Sequence, residues 1–220
     1  MTRTAPATGH PLANGVCAGR ADSTGVELDG GRIDALVAAA GQVLRTSAPE
    51  QTTFGVAQVR RMMTSPVLDL LHVVFAPRAE RPLLLGLARL RSQSGEPLLV
   101  HYSELWDLPF GPSRPAEGAC VVDTPAGARA LADAASGIRA RAPEPPPPAG
   151  LMLAVRLVVP PGEARTLRFA YAAPEPGEDP GTLVAAWRGE VERELLAVVR
   201  AGLESRGVDP IERYRRAHDG

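Results

Sequence analysis

The sequence contains no lysine, and all 24 of its basic side chains are arginines. Together with an excess of alanine, glycine and proline, this absence is typical of mutational bias in a GC-rich genome. Arginine also recognises carboxylates and phosphates through paired hydrogen bonds, so a binding role for some of these residues stays open. The 25 acidic residues leave a net charge of −1, which provides no bulk field to attract nucleic acid or an anionic membrane.

Cysteine and histidine are too few and too scattered to predict a disulfide framework, a metal site or a cofactor. Cys17 and Cys120 lie far apart and form no CxxC pattern, which suits a reducing compartment. The four histidines are equally dispersed: His10, His72, His101 and His218. Two of them, His72 and His101, lie in neighbouring predicted strands and could face one another, although structural roles are commoner.

Long apolar segments are also missing. Every apolar run is shorter than the ~18 residues that a membrane-spanning helix needs. Residues 1–9 are polar, with one arginine and no apolar core of a secretory signal. We therefore expect a cytoplasmic protein without a membrane or nucleic-acid partner.

Strand patterns dominate the middle of the chain, which is long enough for one domain plus a helical piece. Residues 67–76 are rich in β-branched side chains and are bracketed by Pro66 and Pro77, which predicts a strand. In residues 166–171, Leu167, Phe169 and Tyr171 share one face, predicted to be buried, and the opposite face is predicted to be solvated. The fold class predicted is mainly β, an antiparallel β-sandwich with one or two C-terminal helices.

Two hairpins are predicted from turn residues. Asp29-Gly30 supplies the positive φ angles of a tight turn, although the alanine-rich run that follows could also be a short helix. Apolar runs at 83–90 and 98–108 flank a Ser/Gly/Pro loop, which predicts a second antiparallel hairpin.

Helices are predicted at three places. Thr124 and Pro125 suit a helix start, with the alanine-rich stretch up to Gly137 as its body. From 182 to about 203, apolar residues recur at three- and four-residue steps, which predicts an amphipathic helix that docks on the sandwich through Trp187. Asp209 and Pro210 would start a further helix.

The predicted organisation has three parts. Residues 1–22 form a flexible N-terminus, 23–178 the β-sandwich domain and 179–220 a linker-like helical segment. The proline-rich run 143–148 is interpreted as an extended connector, with a ligand for a proline-binding domain as the alternative.

Three stretches together resemble the N-terminal β-sandwich of glycoside phosphorylases and hydrolases of the cellobiose phosphorylase type, a galactose-mutarotase-like fold. Residues 67–77 end Val-Val-Phe-Ala-Pro, 83–106 end His-Tyr-Ser-Glu-Leu-Trp, and 158–163 resemble the L-x-P-G-E turn of the family. The resemblance covers about residues 54–205. It implies a catalytic (α/α)6 barrel after the sandwich, but only two helical segments are predicted after Tyr171.

The candidate ligand-binding residues are Tyr102, Glu104 and Trp106, which alternate onto one strand face. The two rings could stack on a sugar with Glu104 accepting hydroxyl hydrogen bonds, or they could fill the core. Asp107 lies on the opposite face, so Glu104 and Asp107 do not converge as a glycosidic acid–base pair. His101 likewise has opposite parity to Glu104, and no catalytic residue is predicted.

The resemblance implies a non-catalytic accessory module that binds a carbohydrate or docks on a catalytic-domain chain, with a homodimer as a further option. Two alternatives stay open. One is part of a split glycoside phosphorylase or hydrolase active in trans, and the other is an unrelated structural interaction module.

Overall fold

The computed structural model describes residues 10–14, 16–21, 25–43, 47–54, 57–79 and 81–204. Within these ranges the chain forms two antiparallel sheets packed face to face and two short helices. The predicted fold class, a mainly β antiparallel sandwich with C-terminal helices, is confirmed.

Fifteen strands and two helices follow one another in the described ranges. They are β1 (His10–Ala13), β2 (Ala18–Ala21), β3 (Val26–Leu28), β4 (Gly31–Ala39), β5 (Gln42–Val43), β6 (Ser47–Phe54), β7 (Ala57–Ser65), β8 (Leu68–Phe75), β9 (Leu83–Ser92), β10 (Leu98–Asp107), β11 (Arg114–Ala116), β12 (Ala119–Thr124), β13 (Gly127–Asp133), β14 (Leu151–Val159), β15 (Ala164–Ala172), α1 (Pro180–Ala185) and α2 (Val191–Glu204). Sheet A has the order β1-β2-β3-β4-β10-β14, with β5 paired to β4. Sheet B has the order β11-β12-β13-β15-β9-β8-β7-β6.

The main hydrophobic core lies between the two sheets. Sheet A contributes alternate residues such as Ile33 and Leu153, and sheet B contributes Leu70 and Phe169. Burying one such aliphatic or aromatic side chain stabilises the fold by about 1.5–3 kcal/mol. The period-two pattern of the strands therefore decides which face of each strand points inward.

A second core lies on the outer face of sheet B, beneath the helices. Leu183, Trp187 and Val191 pack there against sheet residues that include Leu85 and Ala170. The predicted solvated face of β15 is therefore wrong, because the helical segment covers it and Ala170 is fully buried. Within the predicted C-terminal segment, α1 and α2 pack on sheet B, and residues 205–220 lie outside the described residues.

The apolar stripe around Trp187 is confirmed, but the single helix is not. The chain forms α1 and α2 with turns between them. Gly189 has a φ of +83°, a left-handed conformation that interrupts a continuous helix. Asp179 starts α1 by accepting a hydrogen bond from the backbone N–H of Thr182 at 2.7 Å. The helix predicted from Asp209 lies outside the described residues.

The hairpin at Asp29-Gly30 is confirmed as the β3–β4 connection. Both residues have positive φ angles, +53° and +75°, as a tight hairpin turn requires. The alanine-rich run after it forms the strand β4, not a helix.

The hairpin predicted from residues 83–90 and 98–108 is wrong, although both segments form strands. β9 pairs with β8 and β15 in sheet B, whereas β10 pairs with β4 and β14 in sheet A. The loop between them crosses the sandwich from one sheet to the other. Its start is held by hydrogen bonds from the N–H of Ser92 to Glu163 O at 2.9 Å and from the N–H of Gln93 to Val67 O at 2.7 Å.

The helix predicted from Thr124 is a β12–β13 hairpin instead. The Thr124 hydroxyl donates to Gly127 O at 2.7 Å and accepts from the N–H of Ala126 at 3.2 Å, so it closes a turn rather than capping a helix. Gly127 has a φ of +105°, which the turn requires. Ala130 and Ala132 are small enough to lie beneath the helices in the second core, which explains the alanine content.

The described part of the predicted flexible N-terminus contains two strands. β1 and β2 lie within residues 10–21 and extend sheet A. Leu12 is fully buried in the main core, and the Asn14 side-chain amide donates to Ala79 O and Arg81 O at 3.1 and 2.9 Å. These contacts tie the segment to the loop that precedes β9.

Strands β6 and β7, which the sequence did not predict, extend sheet B beyond β8.

The proline-rich run lies in the connection between β13 and β14. Residues 142–150 contain no helix or strand, in line with the predicted connector. In the described part of the chain, neither helix is long and apolar enough to cross a membrane.

Candidate functional site

The three candidate ligand-binding residues share one face of β10, as predicted, and that face points into the main core. Tyr102, Glu104 and Trp106 are each 0% exposed. The neighbouring residues His101 and Asp107 are exposed on the outer face of sheet A. The structure therefore shows the core-filling arrangement, in which a sugar has no access to the two rings.

Glu104 lies at the centre of four polar side chains, which we call the buried tetrad: Glu104, His72, Tyr102 and Tyr171. The Tyr102 hydroxyl donates to Oε2 of Glu104 at 2.5 Å. The Tyr171 hydroxyl donates to Oε1, and His72 Nε2 lies 2.9 Å from the same oxygen. All four side chains are at most 1% exposed, so the tetrad is sealed from solvent.

Aromatic contacts fix the geometry of the tetrad. The Tyr102 ring stacks on Phe169 with centroids 5.8 Å apart, and Trp106 meets Tyr171 edge-on at 6.0 Å. The indole N–H of Trp106 donates to Leu28 O at 3.1 Å, which satisfies the one polar atom of that buried ring. Gly86 allows the Tyr171 ring to approach, because a Cβ there would lie 3.1 Å from the ring and from its hydroxyl.

The possible contact between His72 and His101 is not formed. His72 points into the core from sheet B, whereas His101 is exposed on sheet A. The prediction that Glu104 lies on the opposite strand face from Asp107 and His101 is confirmed. Glu104 points into the core, whereas the other two are exposed on the outer face of sheet A. Sequence reasoning missed that His72 and Tyr171 meet Glu104, since strand parity places a side chain inward without naming its partner across the core.

An open cavity lies on the outer face of sheet A, and we call it the sheet A groove. It has a volume of about 320 Å³ and lies between β4, β10, the start of β14 and the proline-rich segment. Its lining residues are Arg32, Asp34, Leu105, Trp106, Asp107, Pro147, Ala149, Leu151 and Met152, of which Trp106 and Leu151 have side chains buried in the core on the other face of the sheet.

The groove combines charged and apolar groups. Arg32 Nε lies 3.7 Å from Asp34 Oδ2 on the same strand, and Asp107 stands opposite Arg32 in the β4–β10 register. Leu105 and Met152 face each other across the β10–β14 register and form the apolar floor. Pro147 supplies a wall from the connector. Such a mixture can hold a small molecule that has both hydroxyl groups and apolar faces.

Cys17 is a buried, unreactive thiol. Burial, with a smaller contribution from Asp29 and an opposing one from Arg129, raises the pKa of Cys17 from 9.0 to about 12. Such a thiol is protonated at neutral pH and is a poor nucleophile. No group of three or more His, Cys, Asp and Glu side chains in the described ranges is arranged to hold a metal ion.

The sequence matches no protein family and no curated protein. The structure is similar to solved carbohydrate-related proteins. A putative kojibiose phosphorylase from human microbiome has a TM-score of 0.51 at 6% identity, covering 88% of this chain and 34% of that one. A mutant of heparan sulfate lyase HepC from Pedobacter heparinus has a TM-score of 0.49 at 8% identity, covering 65% and 24%.

A galactose mutarotase related enzyme from Lactobacillus acidophilus has a TM-score of 0.43 at 7% identity, covering 76% of this chain and 98% of that one. The chain thus spans about a third of the phosphorylase and a quarter of the lyase. At these identities the similarity concerns the fold alone. The comparison rests on the putative kojibiose phosphorylase, whose TM-score is 0.51. The fold of this chain is therefore a β-sandwich similar to part of the putative kojibiose phosphorylase.

Proposed function

We propose that this chain is a non-catalytic accessory module of a carbohydrate-active enzyme and that it binds a glycan in the sheet A groove. The observation that supports this best is the groove, an open cavity of about 320 Å³ on the outer face of sheet A. Small-molecule sites in proteins have volumes of roughly 300–1,000 Å³, so the groove has room for one or two sugar rings.

The chemistry of the groove matches a neutral sugar. The carboxylates of Asp34 and Asp107 can accept hydrogen bonds from hydroxyl groups, and the Arg32 guanidinium can donate them. Leu105, Met152 and Pro147 offer apolar contact to the C–H faces of a ring. Opposite charges among these side chains partly balance, which disfavours a strongly charged ligand.

The non-catalytic part of the proposal is supported by the burial of Glu104 and is tested at Asp34 and Asp107. Glycosidic chemistry needs two carboxyls that flank the scissile bond, and Glu104 is sealed in the core. Asp34 and Asp107 both border the groove, so turnover has to be measured directly. Unpaired Cys17 and Cys120 support a reducing, cytoplasmic location for the module.

The test is a titration with a panel of neutral oligosaccharides, followed by NMR chemical shifts or calorimetry. We expect saturable binding with shifts at Leu105, Asp107 and Met152, and Asp107→Ala should weaken it about tenfold. Asp123→Ala is the matched control, because its exposed carboxylate lies on sheet B away from the groove and should leave affinity unchanged. Absence of saturable binding, or equal affinity of both variants, contradicts the proposal, and hydrolysis or phosphorolysis contradicts its non-catalytic part.

A second candidate is docking on a catalytic chain or on a second copy. It is favoured by three exposed apolar side chains on the outer face of sheet A: Leu36 at 46%, Leu99 at 37% and Val158 at 52%. Sedimentation at micromolar concentration tests for the homodimer. Mixing with a barrel-containing phosphorylase chain and assaying phosphorolysis tests the split enzyme. A monomer that neither associates nor gains activity contradicts this candidate.

A further inference from the structure

We propose that the buried tetrad is a conformational lock, in which an ionised Glu104 accepts hydrogen bonds from both sheets and permits only one packing of sheet A on sheet B. This inference is independent of the proposed function. Glu104 and Tyr102 lie on β10 of sheet A, whereas His72 lies on β8 and Tyr171 on β15 of sheet B. The hydrogen bonds of Glu104 to His72 and Tyr171 therefore cross the interface between the sheets.

The balance of donors and acceptors assigns the protonation of the tetrad. Both tyrosine hydroxyls donate to Glu104, and His72 Nε2 faces the same carboxyl group. A carboxylate accepts from all three groups, whereas the O–H of a carboxylic acid would need an acceptor, such as Nε2 of the His72 tautomer that carries its proton on Nδ1. Within the described structure, Nδ1 of His72 has no hydrogen-bond partner. A proton there would be an unpaired buried donor, so His72 is neutral with its proton on Nε2.

The composition of the core explains why a buried polar cluster would be needed to select one packing of the two sheets. Phe169 and Trp106 pack on the two tyrosines, and the same core also contains many aliphatic side chains of similar size, such as Val100, Leu153 and Leu70. Aliphatic residues of similar size contribute little to selecting one arrangement over a two-residue slip of one sheet over the other. The same slip would leave Glu104 buried without partners, which is costly. The tetrad thus selects one arrangement, while its contribution to net stability is small because the carboxylate must be desolvated.

The lock predicts opposite outcomes for breaking the tetrad and for replacing it. Glu104→Gln keeps the shape but places an amide N–H₂ among donors. We expect the unfolding equilibrium constant to rise about a hundredfold or more. Tyr171→Phe is the milder variant, with a rise of about tenfold or more, and it remains measurable if Glu104→Gln does not fold.

The matched control replaces all four residues at once: His72→Leu, Tyr102→Phe, Glu104→Leu and Tyr171→Phe. We expect the unfolding equilibrium constant of this variant to lie within about tenfold of the wild-type constant, since buried polar groups are often replaceable by apolar ones. It should nevertheless lose dispersed side-chain NMR signals and bind ANS, because the sheets can now slip.

Two readouts decide between a lock and an ordinary buried hydrogen-bond cluster. In the wild type, ¹⁵N NMR of His72 should show a protonated Nε2 and a bare Nδ1. The opposite tautomer, or a doubly protonated ring, overturns the assignment. The lock is also overturned if the quadruple variant keeps a dispersed spectrum without ANS binding. It is equally overturned if that variant is as unstable as Glu104→Gln, because the tetrad would then supply stability rather than specificity.

Discussion

Gly86→Ala tests the packing around Tyr171 with the smallest possible change. The new Cβ would lie 3.1 Å from the Tyr171 ring and hydroxyl, closer than ordinary van der Waals contact. Tyr171 cannot move away easily, because its hydroxyl is held by Glu104 and its ring by Trp106. Overpacking of a well-packed core costs about 1–3 kcal/mol. For a chain of this size, each kcal/mol lowers Tm by about 2–4 °C.

Urea unfolding followed by circular dichroism measures this cost. Gly95→Ala is the matched control, since a Cβ there meets nothing within 4 Å, and its effect should stay within about 0.5 kcal/mol. In a Tyr171→Leu background, the penalty of Gly86→Ala should largely disappear, because the shorter side chain leaves space for the methyl group. A penalty of the same size in both backgrounds would show that the strain does not involve Tyr171 and would refute the reasoning.

Two further predictions concern single titratable groups. A hydrogen bond from Arg168 lowers the pKa of Glu192 from its ordinary 4.5, so the ion pair that ties α2 to β15 stabilises the fold above about pH 4.5 and is lost as pH falls through the lowered value. The difference in unfolding free energy between wild type and Glu192→Gln should therefore be below about 1 kcal/mol at pH 7, given partial exposure, and shrink towards pH 3. A difference that grows on acidification contradicts this sign. Cys17, buried with a pKa raised to about 12, should resist iodoacetamide at pH 8 in the folded chain and react after urea unfolding, and rapid native labelling of Cys17 would contradict its burial.

The sequence was informative wherever one face of a strand is buried. Parity placed Tyr102, Glu104 and Trp106 together and Asp107 opposite, and the structure agrees. It could not reveal that His72 and Tyr171 meet Glu104, because their contact depends on how β8 and β15 align across the core. The sheet A groove was equally hidden, since Pro147 and Asp34 come from segments far apart in the chain.

The errors in helix assignment also have a physical cause. Thr124 and Pro125 suit a helix N-terminus and the alanines after them have good helix propensity, yet they form a hairpin because β12 and β13 belong to sheet B beneath the helices. Propensity is a weak preference that tertiary packing overrides. At Trp187 the apolar spacing was correct, but Gly189 breaks the helix without disturbing the stripe.

The crossing between β9 and β10 could have been predicted from their different patterns of hydrophobicity. β9 begins with a continuous apolar run, Leu83 to Leu87, as expected for a strand covered on both faces. β10 alternates, as expected for a strand with one solvated face. Two strands of one hairpin lie in the same sheet and share its covering layers, so a change of pattern across a short loop indicates a change of sheet. The β14–β15 connection also changes sheet, but it could not be predicted in this way, because β14 is apolar at eight of its nine positions although its outward-facing residues are not buried.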